Sequence, residues 1–218
     1  MNETVKRAIF GSIYVATLWI CTYYSEISFS ILFGILGLAS VYEMWKLRKG
    51  KTKIVAFLYV LTPFILIQLF GISDPNYPKN AYNPSIILLL FILTWTFDTF
   101  AYLVGVKYGK HKMFPSISPK KSWEGFFGGM VFTIIAGIIS QFYFRSFFEN
   151  IKLELILFFS IILPFTATLG DFIESYFKRK ANVKDSGNII PGHGGILDRM
   201  DAFMITIPVL YILINIFK

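Results

Sequence analysis

Seven stretches of about 20 predominantly apolar residues follow one another along this sequence, at roughly 8–25, 27–45, 54–71, 85–106, 125–144, 153–173 and 195–217. That length is what a helix needs to cross the ~30 Å hydrocarbon interior of a bilayer. Composition agrees: 55% of the 218 residues are hydrophobic, only 16% are charged, and the mean hydropathy is +0.61. Soluble domains carry about a quarter charged residues, so too few are present to coat a globule of this size. The expected fold class is all-α, a polytopic membrane protein with about seven transmembrane helices, forming one domain over residues 1–218. Lys6 and Arg7 precede the first apolar run as in a signal peptide, but no small-x-small cleavage site follows, so the run is read as a retained helix. Cys21, the single cysteine, has no partner for a disulfide or a metal site and reads as a small hydrophobe.

The formal charge of +8 would suggest nucleic acid for a soluble protein, but its distribution gives another reason. Lys6 and Arg7 come before the first stretch, and Lys46, Arg48, Lys49, Lys51 and Lys53 follow the second. Lys107, Lys110, Lys112, Lys120 and Lys121 follow the fourth, and Lys178, Arg179, Lys180, Lys184 and Arg199 follow the sixth. These alternate segments hold 17 of the 21 basic residues, leaving Lys79, Arg145, Lys152 and Lys218 for the other side. Cytoplasmic loops are the basic ones. The amino end is therefore expected in the cytoplasm and the carboxyl end outside, with no call for nucleic acid.

Five carboxylates stand where lipid-facing residues would be expected. Asp98 lies about eight residues inside the cytoplasmic end of its span, roughly 12 Å deep at 1.5 Å per residue. Asp171 and Glu174 close the sixth stretch; Asp198 and Asp201 open the seventh. Each of these pairs is three residues apart and so shares a helix face. Ionisable groups at membrane depth are costly and mark functional sites. Two such pairs on adjoining helix ends repel each other unless a cation separates them, and oxygen-only ligands favour a hard ion such as Mg²⁺. The plainer alternative pairs each acid with a neighbouring Lys or Arg.

The segment read as a loop from Ser175 to Arg199 supplies cations, Lys178, Arg179 and Lys184, and then Pro191-Gly192-His193-Gly194-Gly195 leading into the last stretch. Glycines let backbone N–H groups approach an anion, and a helix N-terminus favours negative charge. Gly109-Lys110-His111-Lys112 and Ser118 to Gly125 repeat the theme near Asp98. Cations, a glycine turn and a carboxylate-held metal together suit a polyphosphate. Neither histidine has metal-site spacing, so zinc hydrolysis is unsupported.

The run from Ser175 through Lys178-Arg179, Lys184-Asp185-Ser186-Gly187 and Pro191-Gly192-His193-Gly194-Gly195 to Asp198-Arg199-Met200-Asp201 resembles the signature of the phosphatidate cytidylyltransferases, over 27 consecutive positions. Trp95 to Tyr102, Gly109 to Lys112, Ser118 to Gly125, Arg7, and Tyr42-Glu43-Met44-Trp45 extend the resemblance to about three-quarters of the chain. It implies transfer of CMP from CTP to phosphatidate, giving CDP-diacylglycerol and pyrophosphate, with Mg²⁺ required. It also implies Asp171, Asp198 and Asp201 at the metal; Asp98 is a candidate to hold a second cation or to orient a lysine. Lys178, Arg179, Lys184, His193 and Arg199 are then the expected catalytic or charge-stabilising groups. Lys120, Lys121, Ser175, Ser186, Gly194 and Gly195 are the expected phosphate-binding ones. The implied partners are CTP, phosphatidate and the bilayer, with a homodimer left open, and the implied location is the inner membrane with the site facing the cytoplasm. Many bacterial members are longer; this chain lacks about two of their spans before the Asp98 helix.

Two rivals remain. A transporter would use intramembrane acids as a relay but leaves the cation-glycine segment unexplained. A CTP-dependent lipid kinase differs in its nucleotide product. A CDP-alcohol phosphotransferase would need an Asp-Gly-x-x-Ala-Arg motif, which is absent.

Overall fold

A computed structural model of the chain describes residues 3–48, 53–72, 82–148, 151–192 and 194–217. Its long helices are α1 (Glu3–Tyr24), α2 (Glu26–Leu47), α3 (Ile54–Ile72), α4 (Ser85–Tyr108), α5 (Trp123–Tyr143), α7 (Leu153–Lys180) and α8 (Leu197–Ile216), with a single turn, α6 (Arg145–Phe148), after α5. Each long helix coincides with one of the seven apolar stretches. Five of them, α2, α4, α5, α7 and α8, are long and apolar enough to cross a membrane. The protein is thus an α-helical membrane protein. The turn-rich connection at 73–81, and with it Lys79, lies outside the described residues, as do Lys49, Lys51, Lys218 and His193.

Without a hydrophobic drive between helices in lipid, close packing depends on small residues and polar links. α5 shows this along one face, where Gly125, Gly129, Thr133 and Gly137 recur every fourth residue and are all buried. A Cβ at Gly125 would lie 2.6 Å from the Ala101 carbonyl oxygen of α4, and one at Gly129 would lie 2.8 Å from the Phe97 ring. At Gly137 it would strike Ser160 of α7. α5 therefore lies close against both α4 and α7. The first half of α4, Ile87 to Phe91, is buried throughout, which makes α4 central. Thr166 of α7 and Thr206 of α8 link their hydroxyls at 2.9 Å.

Two departures from the sequence reading concern the connections. The α4–α5 segment contains a hairpin, β1 (Lys112–Phe114) paired antiparallel with β2 (Ser118–Ser122), closed by a turn in which Ile117 N–H donates to Phe114 C=O at 3.2 Å. Pro115 occupies the second turn position, where its fixed φ is favourable. Strands of three and five residues, largely polar, are too short for an alternating pattern to register. Ser122 then caps α5 by accepting from Gly125 N–H at 3.2 Å.

The second departure is larger. α7 does not end with the apolar stretch at 173 but continues to Lys180, so Ser175, Lys178 and Arg179 are helical, and Arg199 lies in α8. At 1.5 Å per residue its 28 residues span about 42 Å, more than the hydrocarbon thickness. Lys178, Arg179 and Lys180 in the last turn suit the helix dipole. The end is a Schellman motif. Val183 N–H donates to Lys178 C=O and Asn182 N–H to Arg179 C=O, both at 3.0 Å, with Asn182 in the left-handed region at φ 56°. The loop from 181 to 196 joins α7 to α8.

Candidate active site

The hairpin lies against α4, α5 and α7, and at the same end of α7 the start of α8 is held by Glu43 of α2. Three carboxylates converge there: oxygens of Asp171, Glu174 and Asp201 lie within 4.8 Å of one another. Asp171 and Glu174 are one helical turn apart on α7, so they face the same way. Asp201 reaches them because Gly170 has no side chain: a Cβ there would strike the Asp201 carbonyl oxygen and lie 3.5 Å from Ala202 Cα. The Tyr59 hydroxyl of α3 donates to the Gly170 carbonyl at 3.0 Å, fixing the same crossing from the other side.

Cations bind this cluster from two directions. Lys121, carried on β2, meets Asp171 at 2.5 Å. Lys178 is buried between Glu174, four residues before it, and Asp198, whose Oδ1 it reaches at 2.7 Å. Asp198 stands beside the three-carboxylate cluster, sharing Lys178 with Glu174. Its Oδ2 accepts from Ser186 N–H at 2.9 Å and Gly195 N–H at 2.8 Å, which anchors the loop. Glu174 is fully buried, and its Oε1 has no hydrogen-bond partner.

Two cavities share a wall made by Asp98, Lys121 and Asp171. The first, about 530 Å³, is also lined by Lys178, Asp185, Asp198, Arg199 and Asp201, together with Gly11, Tyr14 and Val15 of α1. Its lining has five acids against three cations. The second, about 660 Å³, lies between α4, α5 and the hairpin and is lined by Lys112, Ser118, Lys120 and Ser122. Asp98 faces both. Glu124 steadies the hairpin base, accepting from the N–H groups of Lys110 and His111 at 3.2 Å and meeting His111 Nδ1 at 2.6 Å.

The other expected site residues have these places. Lys120 is on the second cavity, and Arg199 on the first. Ser175 is buried on α7. Arg179 is exposed and donates to the Val183 carbonyl at 3.0 Å, closing the end of α7. Lys184 is exposed and lines neither cavity. His193 lies outside the described residues. Gly194 pairs with Ile190 in an isolated bridge.

Three N–H groups at the end of the glycine turn and the start of α8 are engaged by the protein itself. That of Gly195 goes to Asp198, and those of Ile196 and Leu197 go to Glu43. Glu174 and Glu43 carry more of this geometry than the sequence reading gives them. For Glu174 the signal is its spacing from Asp171. For Glu43 it is an acid within an apolar helix, which membrane burial makes costly.

Fold and site together define an α-helical membrane protein with a carboxylate cluster flanked by lysines at one end of its bundle. The family follows from sequence comparison: the profile of the cytidylyltransferase family matches residues 54–217, and the chain belongs to that family. It is 50% identical over 128 residues to the phosphatidate cytidylyltransferases of Staphylococcus haemolyticus (strain JCSC1435) and Staphylococcus saprophyticus. Those alignments cover 59% of this chain and 48% of each staphylococcal protein, so the chain spans about half of their length. It is 35% identical over 205 residues to the phosphatidate cytidylyltransferase of Rickettsia bellii (strain RML369-C), covering 92% of this chain and 84% of that one.

Proposed function

We propose that this protein transfers CMP from CTP to phosphatidate in the inner membrane, releasing pyrophosphate and forming CDP-diacylglycerol. The observation that carries the reading is the Asp171–Glu174–Asp201 cluster bordered by Lys121 and Lys178, in a chain of the cytidylyltransferase family. The names of its relatives supply the substrates.

The residues fit Mg²⁺. The donors are hard carboxylate oxygens, Glu174 Oε1 is buried without a partner, and the first cavity has a formal excess of two negative charges. Asp171, Glu174 and Asp201 would hold the ion, with Asp98 across the cavity wall. When bound, it would offset charge on the phosphate oxygens. A phosphatidate oxygen, already ionised near neutral pH, forms the bond to the α-phosphorus of CTP. The bond from that phosphorus to the bridging oxygen breaks, and pyrophosphate leaves with the electron pair. No strong base is required; the difficulty is bringing two polyanions together. Lys121 and Arg199 face the first cavity and would draw them in, while Lys178 keeps Glu174 and Asp198 in place.

The basic-residue asymmetry supports seven spans with a cytoplasmic amino end, an external carboxyl end and a cytoplasmic site. The test of function is incubation of the purified protein with phosphatidate, Mg²⁺ and CTP labelled in the cytidine, in detergent micelles without sealed compartments. CDP-diacylglycerol and pyrophosphate are the expected products. CDP with a newly phosphorylated lipid would replace this reading with a lipid kinase, and the absence of any CTP-dependent product would remove it.

A further inference from the structure

Glu43 lies on α2, upstream of the residues matched by the family profile, and is only 1% exposed. None of the ion pairs among the described residues includes it. Its carboxylate is instead filled by donors from residues about 150 positions away. Oε1 accepts from Ile196 N–H at 3.0 Å; Oε2 accepts from Leu197 N–H at 2.9 Å and from Ser186 Oγ–H at 2.7 Å. The loop is shaped to admit it: a Cβ at Gly187 or Gly195 would collide with the Glu43 carboxylate.

These contacts fall where α8 begins. The first N–H groups of a helix have no partner within it, and a negative charge beside them is favourable. Asp198 and Asp201 follow Leu197 by one and four residues, so the position and tilt of this first turn decide where both carboxylates stand. Ser186 is held from two sides, its N–H by Asp198 and its hydroxyl by Glu43.

We propose that Glu43 is a positioning residue for the reaction: from α2 it fixes the first turn of α8 and the Ser186 loop, and so sets Asp198 and Asp201 relative to Asp171 and Lys178. This deepens the proposed CMP transfer and rests on it for the kinetic part of the test.

Glu43→Gln is the main variant, because it keeps the shape and loses only the charge and one acceptor; Glu43→Asp shortens the reach, and Glu43→Ala removes the group. In Glu43→Gln, kcat should fall about tenfold with KM for CTP and for phosphatidate within about twofold, since no substrate contact is lost. Glu43→Asp should fall further, showing that reach matters as well as charge. Hydrogen exchange supplies a readout independent of turnover. Amides at 195–198 should exchange faster in Glu43→Gln while those in α4 and α5 keep their wild-type protection. Wild-type kinetics and exchange in Glu43→Gln would overturn the proposal. So would faster exchange spread over all helices, the sign of a general packing defect. Should the wild-type chain make no CDP-diacylglycerol, the reaction falls, and exchange alone decides: local deprotection at 195–198 upholds the anchoring role, and unchanged protection ends it.

Discussion

Lys178 is the residue on which the site's internal balance turns. It is 8% exposed and stands between Glu174, fully buried, and Asp198, also 8% exposed. Removing one partner from a buried ionic group leaves uncompensated charge and costs about 3–5 kcal/mol. Lys178→Met should therefore lower thermal stability in detergent as well as turnover, and a melting curve alongside the activity assay checks both. Lys184, by contrast, is exposed and lines neither cavity. Lys184→Met should leave the melting temperature near wild type and reduce turnover less than Lys121→Met, whose cation meets Asp171. Equal losses in the two variants would give Lys184 a place at the substrate that the geometry does not. Asp201→Asn keeps shape but removes a charge from the three-carboxylate cluster. A turnover loss of at least ~10²-fold is expected, comparable with deleting one preorganised electrostatic group. Normal turnover at ordinary Mg²⁺ concentrations would exclude Asp201 from the cluster's work.

Among the elements, the α7–α8 crossing controls whether those acids meet at all. At Gly170 the α8 backbone approaches so closely that a methyl group would press on the Asp201 carbonyl. Overpacking at such a contact costs about 1–3 kcal/mol, and here it also displaces a carboxylate of the cluster. Gly170→Ala should lose activity well beyond its effect on stability. Gly34→Ala is the matched control, because a Cβ at Gly34 meets nothing within 4 Å, and Ala improves an exposed helix by up to about 1 kcal/mol over Gly. Assayed in parallel, Gly34→Ala should remain active; if both variants behave alike, the crossing does not set the site. The hairpin is the other element with a positional task, since it delivers Lys121 to Asp171 from outside the helical bundle.

For the molecule as a whole, the segregation of 17 basic residues from the remaining 4 sets the expected sidedness. Cysteines placed at the exposed positions Ser116 and Asn188 should react with an impermeant thiol reagent only from the cytoplasmic face, after Cys21→Ser removes the native thiol. A cysteine at Asn76 should react only from outside. Labelling of positions 76 and 116 from the same face would overturn the seven-span arrangement.

The sequence by itself determined that the chain is a bundle of apolar helices, because a bilayer offers backbone groups no partner but their own helix. It also determined which acids and cations crowd toward one end, since charge in an apolar span stands out. Helix ends were less legible. Once the apolar run of α7 stops, nothing local distinguishes two further helical turns from a loop, and Asn182 is a less common helix stop than Gly. The tertiary structure alone decided the partners. In the sequence Glu174 and Asp198 stand alike, as two of the five acids at the ends of apolar stretches. Only the approach of α8 at Gly170 puts Asp201 beside Glu174, and only the folded loop turns Asp198 toward Ser186 and Gly195. The same holds for Glu43. Its donors lie about 150 residues away, a separation that no local pattern encodes and that helix packing alone can close.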